Sequence, residues 1–418
     1  MNIALIMPRS TFLETPMVWQ PLGLFYLAAR LESLGHEVDF FDLNVDALPP
    51  PNWYDQWWIS ATAPQMADVK RIARQRPDER LVLGGPIVWA NPESTNGIGY
   101  WTTVSGECDS KEAVERIVSS VAERNGPMYM HFPVSRTLDW VLPPVRRWSN
   151  KYRATMTDWD GNAHRMTTMF TSRGCPRSCA FCESGRHGII WDRCTRYEPL
   201  EIVEEQIKEC VALGYTGLAF YDDILPLNKK RTLELMEIHK KHGVVWRCFL
   251  RTDIICKMGG FEYLKALREG GLIECFVGVE SADNRIKQGI DKETTIEQDT
   301  QVLEWCKELK IKMKTSFILG LPGESYDSME ATRRWILANR PYRVQVGRLI
   351  PFAGTPLGDH PEKYDIQYER QPPDEWFYAG DNGHGTRSFV STSHLTVEQI
   401  DTYWHDLTRE LAREGIRS

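Results

Sequence analysis

The sequence predicts an α/β protein in which a doubly wound parallel sheet precedes a partial (β/α)6 barrel and a small C-terminal α-rich tail. Short apolar runs alternate with amphipathic helical segments over residues 1–125, and the same alternation returns from Thr167 onward. A length of 418 residues suits two domains with an appendage. We therefore expect a first domain at 1–125, a linker with a hairpin at 126–166, a barrel at 167–357 and a capping region at 358–418.

The first domain is predicted to be a parallel sheet with a ligand at one edge. Five apolar runs are its predicted strands: Asn2–Met7, Glu37–Asp42, Trp57–Ala61, Arg80–Leu83 and Thr102–Val104. Predicted helices separate these runs, and such sheets bind ligands beyond the carboxyl ends of their strands. Small or polar residues follow those ends and would let a flat, bulky ligand approach closely. They are Pro8, Ser60, Thr62, Gly84, Gly85, Ser105, Gly106 and Glu107.

The predicted linker has two parts. Residues 126–153 are rich in Pro, Arg and aromatic residues, which is typical of a segment lying on the surface. Thr155–Met166 contains Asp158-Trp-Asp-Gly161 between β-favouring residues, which predicts a hairpin turn.

The barrel is predicted from six strand–helix units. The strands are expected at Thr168–Thr171, Gly217–Tyr221, Val244–Leu250, Glu274–Val279, Lys314–Leu319 and Val344–Ile350. The helices between them are expected at Leu200–Leu213, Lys229–His242, Phe261–Glu269, Ile296–Leu309 and Ser328–Asn339. Chemistry in such barrels is located at the carboxyl ends of the strands.

Three cysteines follow the first predicted barrel strand, in the run Cys175-Pro-Arg-Ser-Cys179-Ala-Phe-Cys182. Three thiolates on one short loop can hold three irons of a [4Fe–4S] cluster and leave the fourth iron open to substrate or cofactor. A zinc site is one alternative, because structural zinc takes four ligands and His187 could be the fourth, and incidental buried thiols are another. Disulfides are disfavoured, since the ten cysteines are scattered and no secretory signal precedes them.

The cysteine spacing, Gly174 before it and Phe181 within it resemble the radical S-adenosylmethionine (SAM) superfamily. In that family the open iron chelates the amino and carboxylate groups of SAM, and one electron cleaves SAM to methionine and a 5′-deoxyadenosyl radical. From Thr168 to Leu357 the resemblance runs without a gap.

Residues after the later barrel strands match the family's SAM-binding positions. Asp222 and Asp223 stand where relatives hold the SAM amino group, and Arg251 has the planar fork that suits the SAM carboxylate. Glu280 and Ser281 stand at the position that relatives use for the ribose hydroxyls. Gly320 would let the backbone approach adenine or methionine. The alternative functions for these residues are helix N-termini, surface ion pairs and simple turns.

The first domain is similar to the Rossmann-like cobalamin-binding domain that precedes many radical SAM domains. The similarity rests on the Gly84-Gly85-Pro86 and Gly106-Glu107 pairs after two strands. The segment 9–21 contains no His that could bind cobalt from below, so base-off cobalamin is expected. The alternative is a degenerate domain that binds nothing and packs on the barrel.

Composition restricts the class of partner. A net charge of −7 provides no global basic field, which disfavours nucleic acid as a partner. No apolar run approaches the length of a membrane span, and ten cysteines without a signal indicate a reducing cytoplasm. In the tail, Tyr378 and His384 are candidates for substrate contact or proton transfer, with a surface loop as the alternative.

These features together predict a cobalamin-dependent radical SAM enzyme, a methyltransferase that acts on an unactivated carbon or phosphorus centre of a small molecule. The resemblance implies a [4Fe–4S] cluster, SAM and cobalamin as cofactors, and an electron donor such as flavodoxin or ferredoxin. A monomer is expected. The alternatives are a rearrangement or cyclisation without methyl transfer, a radical SAM enzyme with a degenerate cobalamin domain, and a non-catalytic zinc or cobalamin-sensing protein.

Overall fold

The computed structural model describes residues 1–11, 13, 15–90, 95, 97–100, 102–122, 128–184, 194–369 and 387–417. These residues form two compact units. The first contains Met1–Ala154 and Tyr197–Gln206, and the second contains the described residues of 155–196, 207–371 and 379–418.

The first unit contains a six-stranded sheet. Its strands are β1 (Asn2–Met7), β2 (Glu37–Asp42), β3 (Gln56–Ser60), β4 (Leu81–Gly84), β5 (Thr102–Gly106) and β6 (Met128–Phe132). They are all parallel, in the order β2-β1-β3-β4-β5-β6. The interior strand β1 is apolar along most of its length, and its residues Ile3 to Ile6 are fully buried. A near-continuous apolar strand is what a parallel sheet covered on both faces requires.

The described helices of the first unit also follow the predicted pattern. They are α1 (Leu22–Ser33), α2 (Met66–Gln75), α3 (Pro86–Ala90) and α4 (Lys111–Ala122). Gly35 ends the α1 turn in the left-handed region with φ +81°, as expected for a C-cap glycine. The side chains of Val69, Ile72 and Ala73 on α2 join the core beneath β1, β3 and β4.

The expectation of a surface linker from residue 126 was wrong for Met128–Phe132, which forms the sheet-edge strand β6. Its register pairs Ser105 with His131 and Gly106 with Phe132. The segment alternates buried Met130 and Phe132 with exposed side chains, which is the period-2 pattern of a half-covered edge strand. Prolines at 127 and 133 bound this short alternation and favour a loop in the sequence, although Pro is compatible with an edge strand.

The second unit contains a seven-stranded sheet in the order β15-β14-β13-β12-β11-β8-β7. Its strands are β7 (Ala154–Thr157), β8 (Ala163–Met169), β11 (Gly217–Phe220), β12 (Val245–Phe249), β13 (Leu272–Glu280), β14 (Lys312–Leu319) and β15 (Arg343–Arg348). Apart from β7, the strands of this sheet are parallel. β9 (Ser172–Arg173) and β10 (Arg196–Tyr197) form a separate strand pair. β7 and β8 are neighbours joined by a turn at Asp158–Asn162, in the segment for which the sequence predicts a hairpin turn.

The second sheet is curled into a half-barrel. The Lys312 ammonium on β14 donates to the Thr157 carbonyl on β7 at 2.7 Å, although four strands separate β14 from β7 in the sheet order. Only a curled sheet brings those two strands within hydrogen-bonding distance. The carboxyl ends of the parallel strands therefore surround one mouth, where a site in this class of barrel is located.

Helices connect the barrel strands as predicted. Those described are α5 (Leu200–Ala212), α6 (Lys229–His242), α7 (Thr252–Met258), α8 (Gly260–Glu269), α9 (Asn284–Gly289), α10 (Ile296–Glu308), α11 (Tyr326–Asn339), α12 (Pro356–Asp359) and α13 (Val397–Arg413). The short helices α7, α9 and α12 were not predicted, since each has fewer residues than a periodic apolar pattern needs. In the described part of the chain, no helix is long and apolar enough to cross a membrane.

Candidate functional site

The cysteine loop begins where β8 ends and is held by the strand pair β9 (Ser172–Arg173) and β10 (Arg196–Tyr197). Gly174 has φ +94°, and a Cβ there would lie 2.6 Å from the Cys194 carbonyl oxygen. Only glycine fits this turn. Further along the loop, the Ala180 amide donates to the Ile290 carbonyl at 3.0 Å, which ties the cysteines to the turn after α9.

The three thiols of the loop border one cavity of about 190 Å³. Cys175 and Cys179 are buried, and Cys182 is half-buried. Burial raises the pKa of the Cys175 thiol to about 12. Within the described ranges, no group of three or more His, Cys, Asp or Glu side chains has the geometry of a metal-ion site. The zinc alternative's His187 lies outside the described residues.

The two adjacent aspartates after β11 have different surroundings. Asp222 is buried and accepts hydrogen bonds from the Thr171 amide (2.8 Å), the Thr171 hydroxyl (2.7 Å) and the Ser172 hydroxyl (2.5 Å). Burial raises its pKa to about 6, although the three donors oppose the shift. Asp222 therefore anchors the start of the cysteine loop and does not line the cavity.

Asp223 is exposed and lines the cavity. Its carboxylate accepts a hydrogen bond from the Gly174 amide at 3.1 Å and another from the Ser184 hydroxyl. Of the two aspartates, Asp223 is thus the one whose carboxylate is available at the cavity.

Arg251, at the end of β12, connects the cysteine loop to the cavity wall. Its guanidinium donates to the Cys179 sulfur at 3.5 Å, to the Asp253 carboxylate at 3.0 Å and to the Lys292 carbonyl at 2.5 Å. Asp253 also accepts from Arg177, which lies between the first two cysteines, at 2.8 Å. Burial by itself lowers the pKa of Arg251, but Asp253 and Cys179 outweigh that effect and raise it. The guanidinium is therefore a fixed positive charge beside the cysteines.

Glu280 ends β13 at a register shift between β13 and β14. Its φ is +67°, in the left-handed region that non-glycine residues rarely adopt. The carboxylate lines the cavity and accepts a hydrogen bond from the Lys292 ammonium at 2.8 Å, and Ser316 lies at 3.5 Å. A bulge with a strained residue commonly re-aims a side chain next to a site.

Two predicted SAM-binding residues do not line this cavity. Ser281 is fully buried, and its hydroxyl accepts from the Asp283 amide at 3.2 Å, which shapes the start of α9. Gly320 has φ +84°, and its amide donates to the buried Glu324 carboxylate at 2.6 Å. Both residues shape the loops behind the cavity wall, whereas Phe181 lies in the wall itself.

At the first unit's sheet edge, the fold itself accounts for several of the predicted residues. A Cβ on Gly85 (φ +92°) would lie 2.7 Å from the Ala61 backbone, and one on Gly106 (φ +90°) would lie 1.8 Å from the Phe132 carbonyl oxygen. An added Cβ on Gly84 would lie 3.1 Å from the Val104 side chain, a tight contact that a shift of a few tenths of an ångström in that side chain would relieve. Gly85 and Gly106 are therefore required by neighbouring backbone atoms, whatever the edge binds.

The polar residues of that edge have partners within the unit. The Pro8 carbonyl accepts from Gln65 at 2.8 Å, and the Thr62 amide donates to Gln65 at 2.9 Å. The Ser105 hydroxyl lies 2.7 Å from the Tyr129 hydroxyl and 2.8 Å from His131 Nδ1. Glu107 accepts from the Ser135 amide at 3.1 Å, and Ser60 is half-buried beside Gly85.

Tyr378 and His384 lie outside the described residues.

Sequence reasoning missed other cavity residues, and for most of them the alternation of side chains along a strand was an available signal. On β13 the residues Phe276, Gly278 and Glu280 alternate toward the cavity, as the period of a strand requires. The same alternation brings Phe249 of β12 and Ser316 of β14 into the wall. Lys292 had no such signal, because it lies in a turn.

Residues 169–336 match the family model described as the Radical SAM superfamily. Among curated proteins, the chain is 27% identical over 379 residues to the uncharacterized methyltransferase PH0819 of Pyrococcus horikoshii, covering 81% of this chain and 78% of the relative. It is also 28% identical over 204 residues to the anaerobic magnesium-protoporphyrin IX monomethyl ester cyclase of Rubrivivax gelatinosus. That match covers 47% of this chain and 36% of the cyclase.

Among solved structures, the fold matches that of the radical S-adenosylmethionine methyltransferase TsrM from Kitasatospora setae, with cobalamin and a [4Fe–4S] cluster bound. The TM-score is 0.72, the identity is 15%, and the match covers 99% of this chain and 88% of the other. At this identity the likeness shows the fold: an α/β chain with a curled half-barrel.

Proposed function

Since this chain is a radical SAM enzyme with its family domain at residues 169–336, we propose that it is a cobalamin-dependent methyltransferase. Its acceptor is an unactivated carbon or phosphorus centre of a small molecule. One observation carries the proposal: the three thiols of the cysteine loop share a single cavity with Asp223, Arg251 and Glu280. The similarity to PH0819 over most of both chains supports methyl transfer as the reaction.

The cavity suits a [4Fe–4S] cluster held by Cys175, Cys179 and Cys182. Three thiol ligands leave one iron without a protein ligand, which is what SAM chelation needs. The adjacent Arg251 guanidinium, 3.5 Å from the Cys179 sulfur, compensates the negative charge of thiolates in a low-dielectric wall. When bound, the cluster supplies an electron to SAM and cobalamin supplies a transferable methyl group.

The remaining cavity residues bind and orient SAM. Arg251 offers a planar guanidinium to a carboxylate, Asp223 a carboxylate to an amino group, and Glu280 a carboxylate to the two hydroxyls of a ribose. Phe181, Phe249 and Phe276 make the wall largely apolar, which excludes water from a reactive site. Asp222 acts indirectly, by holding the cysteine loop against β11.

We propose that cobalamin binds to the first unit. Its parallel sheet has the edge at which such folds bind ligands, with the loops after β1, β3, β4 and β5 around it. We propose a cobalamin-binding domain at 1–125, a connecting segment at 126–166, the catalytic barrel at 167–357 and a substrate-capping region at 358–418. We further propose that the enzyme is a monomer and that it receives electrons from a small one-electron donor protein such as flavodoxin or ferredoxin.

The test is anaerobic reconstitution with iron and sulfide, followed by incubation with SAM, cobalamin and a reductant. We expect 5′-deoxyadenosine, S-adenosylhomocysteine and a product heavier than its substrate by one CH₂ group. A triple Cys175→Ala/Cys179→Ala/Cys182→Ala variant should hold no cluster and form no 5′-deoxyadenosine. Full iron content in that variant would contradict the assignment of the cluster.

A second candidate function is a cyclisation or rearrangement that uses the same cofactors without methyl transfer. The match to the magnesium-protoporphyrin ester cyclase over 204 residues favours it. In that case 5′-deoxyadenosine forms, but S-adenosylhomocysteine does not accumulate and the product gains no CH₂ group. The assay above therefore distinguishes the two functions.

A further inference from the structure

We propose that Lys292 is a positioning residue that aims the Glu280 carboxylate at the ribose hydroxyls of SAM. This inference rests on the proposed function, because it presupposes SAM in the cavity. Lys292 also lines the cavity, and its ammonium donates to Glu280 Oε1 at 2.8 Å. Both side chains are more than nine-tenths buried, so water screens the pair little.

The backbone around Lys292 is unusually well fixed for a turn. Asp291 and Glu293, the residues on either side of Lys292, have φ of +53° and +59°, so both adopt the left-handed conformation. The Lys292 amide donates to the Lys287 carbonyl at 3.0 Å, and the Lys292 carbonyl accepts from Arg251 at 2.5 Å. Strained backbone persists only where its surroundings determine it, and here they determine where the Lys292 side chain starts.

The turn that carries Lys292 is also bound to the cysteine loop. The Ile290 carbonyl accepts from Ala180, and Arg177 pairs with Glu293. The Lys292 ammonium lies 5.7 Å from the centre of the Phe181 ring, within the range of a cation–π contact. Lys292 thus links the cluster-binding loop to the strand end that carries Glu280.

The geometry leaves one Glu280 oxygen for a ligand. Lys292 occupies Oε1, whereas the contact of Oε2 with the Ser316 hydroxyl is long, at 3.5 Å. A carboxylate that is held by one oxygen presents the other in a fixed direction as a hydrogen-bond acceptor. Without the ammonium, the buried carboxylate loses both its partner and its orientation.

The experiment measures binding in the absence of turnover. Reconstituted protein is titrated anaerobically, without reductant, with SAM and with a SAM analogue that lacks the 2′ and 3′ ribose hydroxyls. A hydrogen bond to a charged group contributes about 1.5–3 kcal/mol, so wild-type protein should prefer SAM by roughly 10–100-fold. Lys292→Met should weaken SAM binding by about that factor while changing analogue binding by less than about threefold.

Four further variants separate positioning from folding. Lys292→Arg keeps the charge and should restore most of the preference for SAM. Glu280→Gln should lose the preference for SAM over the analogue, as Lys292→Met does. The Lys292→Met/Glu280→Gln double variant should lose no more of that preference than either single variant, as expected when both residues act through one shared interaction. Lys265→Met, on the exposed face of α8, is the matched control and should bind both ligands as wild type does. Iron and sulfide content is measured for every variant.

The inference is overturned if Lys292→Met weakens SAM and the analogue equally, if it changes neither, or if Lys292→Arg fails to restore the preference while retaining its cluster. Should Lys292→Met not fold, the Arg variant and Glu280→Gln still decide the question. The proposed function fails by a different result: wild-type protein with a full cluster that binds neither ligand.

Discussion

Asp222 and Asp223 provide a direct test of how the cysteine loop is held, because the two carboxylates are adjacent in sequence and differ in role. Asp222→Ala removes three hydrogen bonds that join the loop to β11 and leaves the buried Thr171 amide without its acceptor. Asp223→Ala removes contacts at an exposed carboxylate. We therefore expect a large loss of stability from the first substitution and a small one from the second.

The magnitude follows from the three donors. Each hydrogen bond to a charged acceptor contributes about 1.5–3 kcal/mol, but the two hydroxyls can turn to other acceptors, whereas the amide cannot. Asp222→Ala should thus lower the free energy of unfolding by about 3–5 kcal/mol, and Asp223→Ala by about 1 kcal/mol or less. Since burial raises the pKa of Asp222 to about 6, the comparison is made near pH 8, where the carboxylate is charged.

The assay is urea unfolding monitored by tryptophan fluorescence, and the iron content of each variant is measured after reconstitution. Asp222→Ala should also bind less iron, because the cysteine loop loses its anchor. A variant that unfolds within about 1 kcal/mol of wild type, retains its cluster and yet binds SAM weakly would refute the reasoning. That result would make Asp222 a ligand-contacting residue.

Two further predictions concern the fold and its pH dependence. Gly106→Ala should destabilise the protein by more than about 2 kcal/mol with or without cobalamin, because the added Cβ would lie 1.8 Å from the Phe132 carbonyl oxygen. Gly35→Ala, at a similar φ but with no atom within 4 Å of the added Cβ, should cost about 1–2 kcal/mol. Equal losses of stability for the two variants in urea unfolding would contradict this prediction. Burial lowers the pKa of His239 to about 3, and its ring is stacked on Phe220 at 5.2 Å. His239 is therefore protonated below about pH 6.5 in the unfolded state but stays neutral in the folded state until the pH approaches 3. The free energy of unfolding consequently decreases as the pH falls from about 6.5 toward 3. Relative to wild type, His239→Phe should gain about 2 kcal/mol on going from pH 7 to pH 5, and a pH-independent difference between the two proteins would contradict this.

Some of the site could be predicted because its signals are local. The cysteine spacing and the end of the preceding apolar run lie within a few residues of each other, so the sequence placed Cys175, Cys179 and Cys182 after the first barrel strand, where the structure has them. Arg251 and Glu280 likewise follow predicted strands, and both line the cavity. Strand period and turn chemistry decide such features, and both act over a few residues.

Other features depended on tertiary structure. Whether Asp222 or Asp223 faces the cavity depends on how β11 enters the curled sheet, which a pair of identical residues cannot reveal. Lys292 reaches Glu280 across 12 residues through a strained turn. The atoms that exclude a side chain at Gly106 belong to β6, in a segment for which the sequence predicts a linker. By itself, the sequence determined which segments become strands and helices and which loop carries the thiols, because period and spacing are local properties. Only the tertiary structure decided which polar groups meet, because hydrogen bonding and close packing join residues that are distant in the chain.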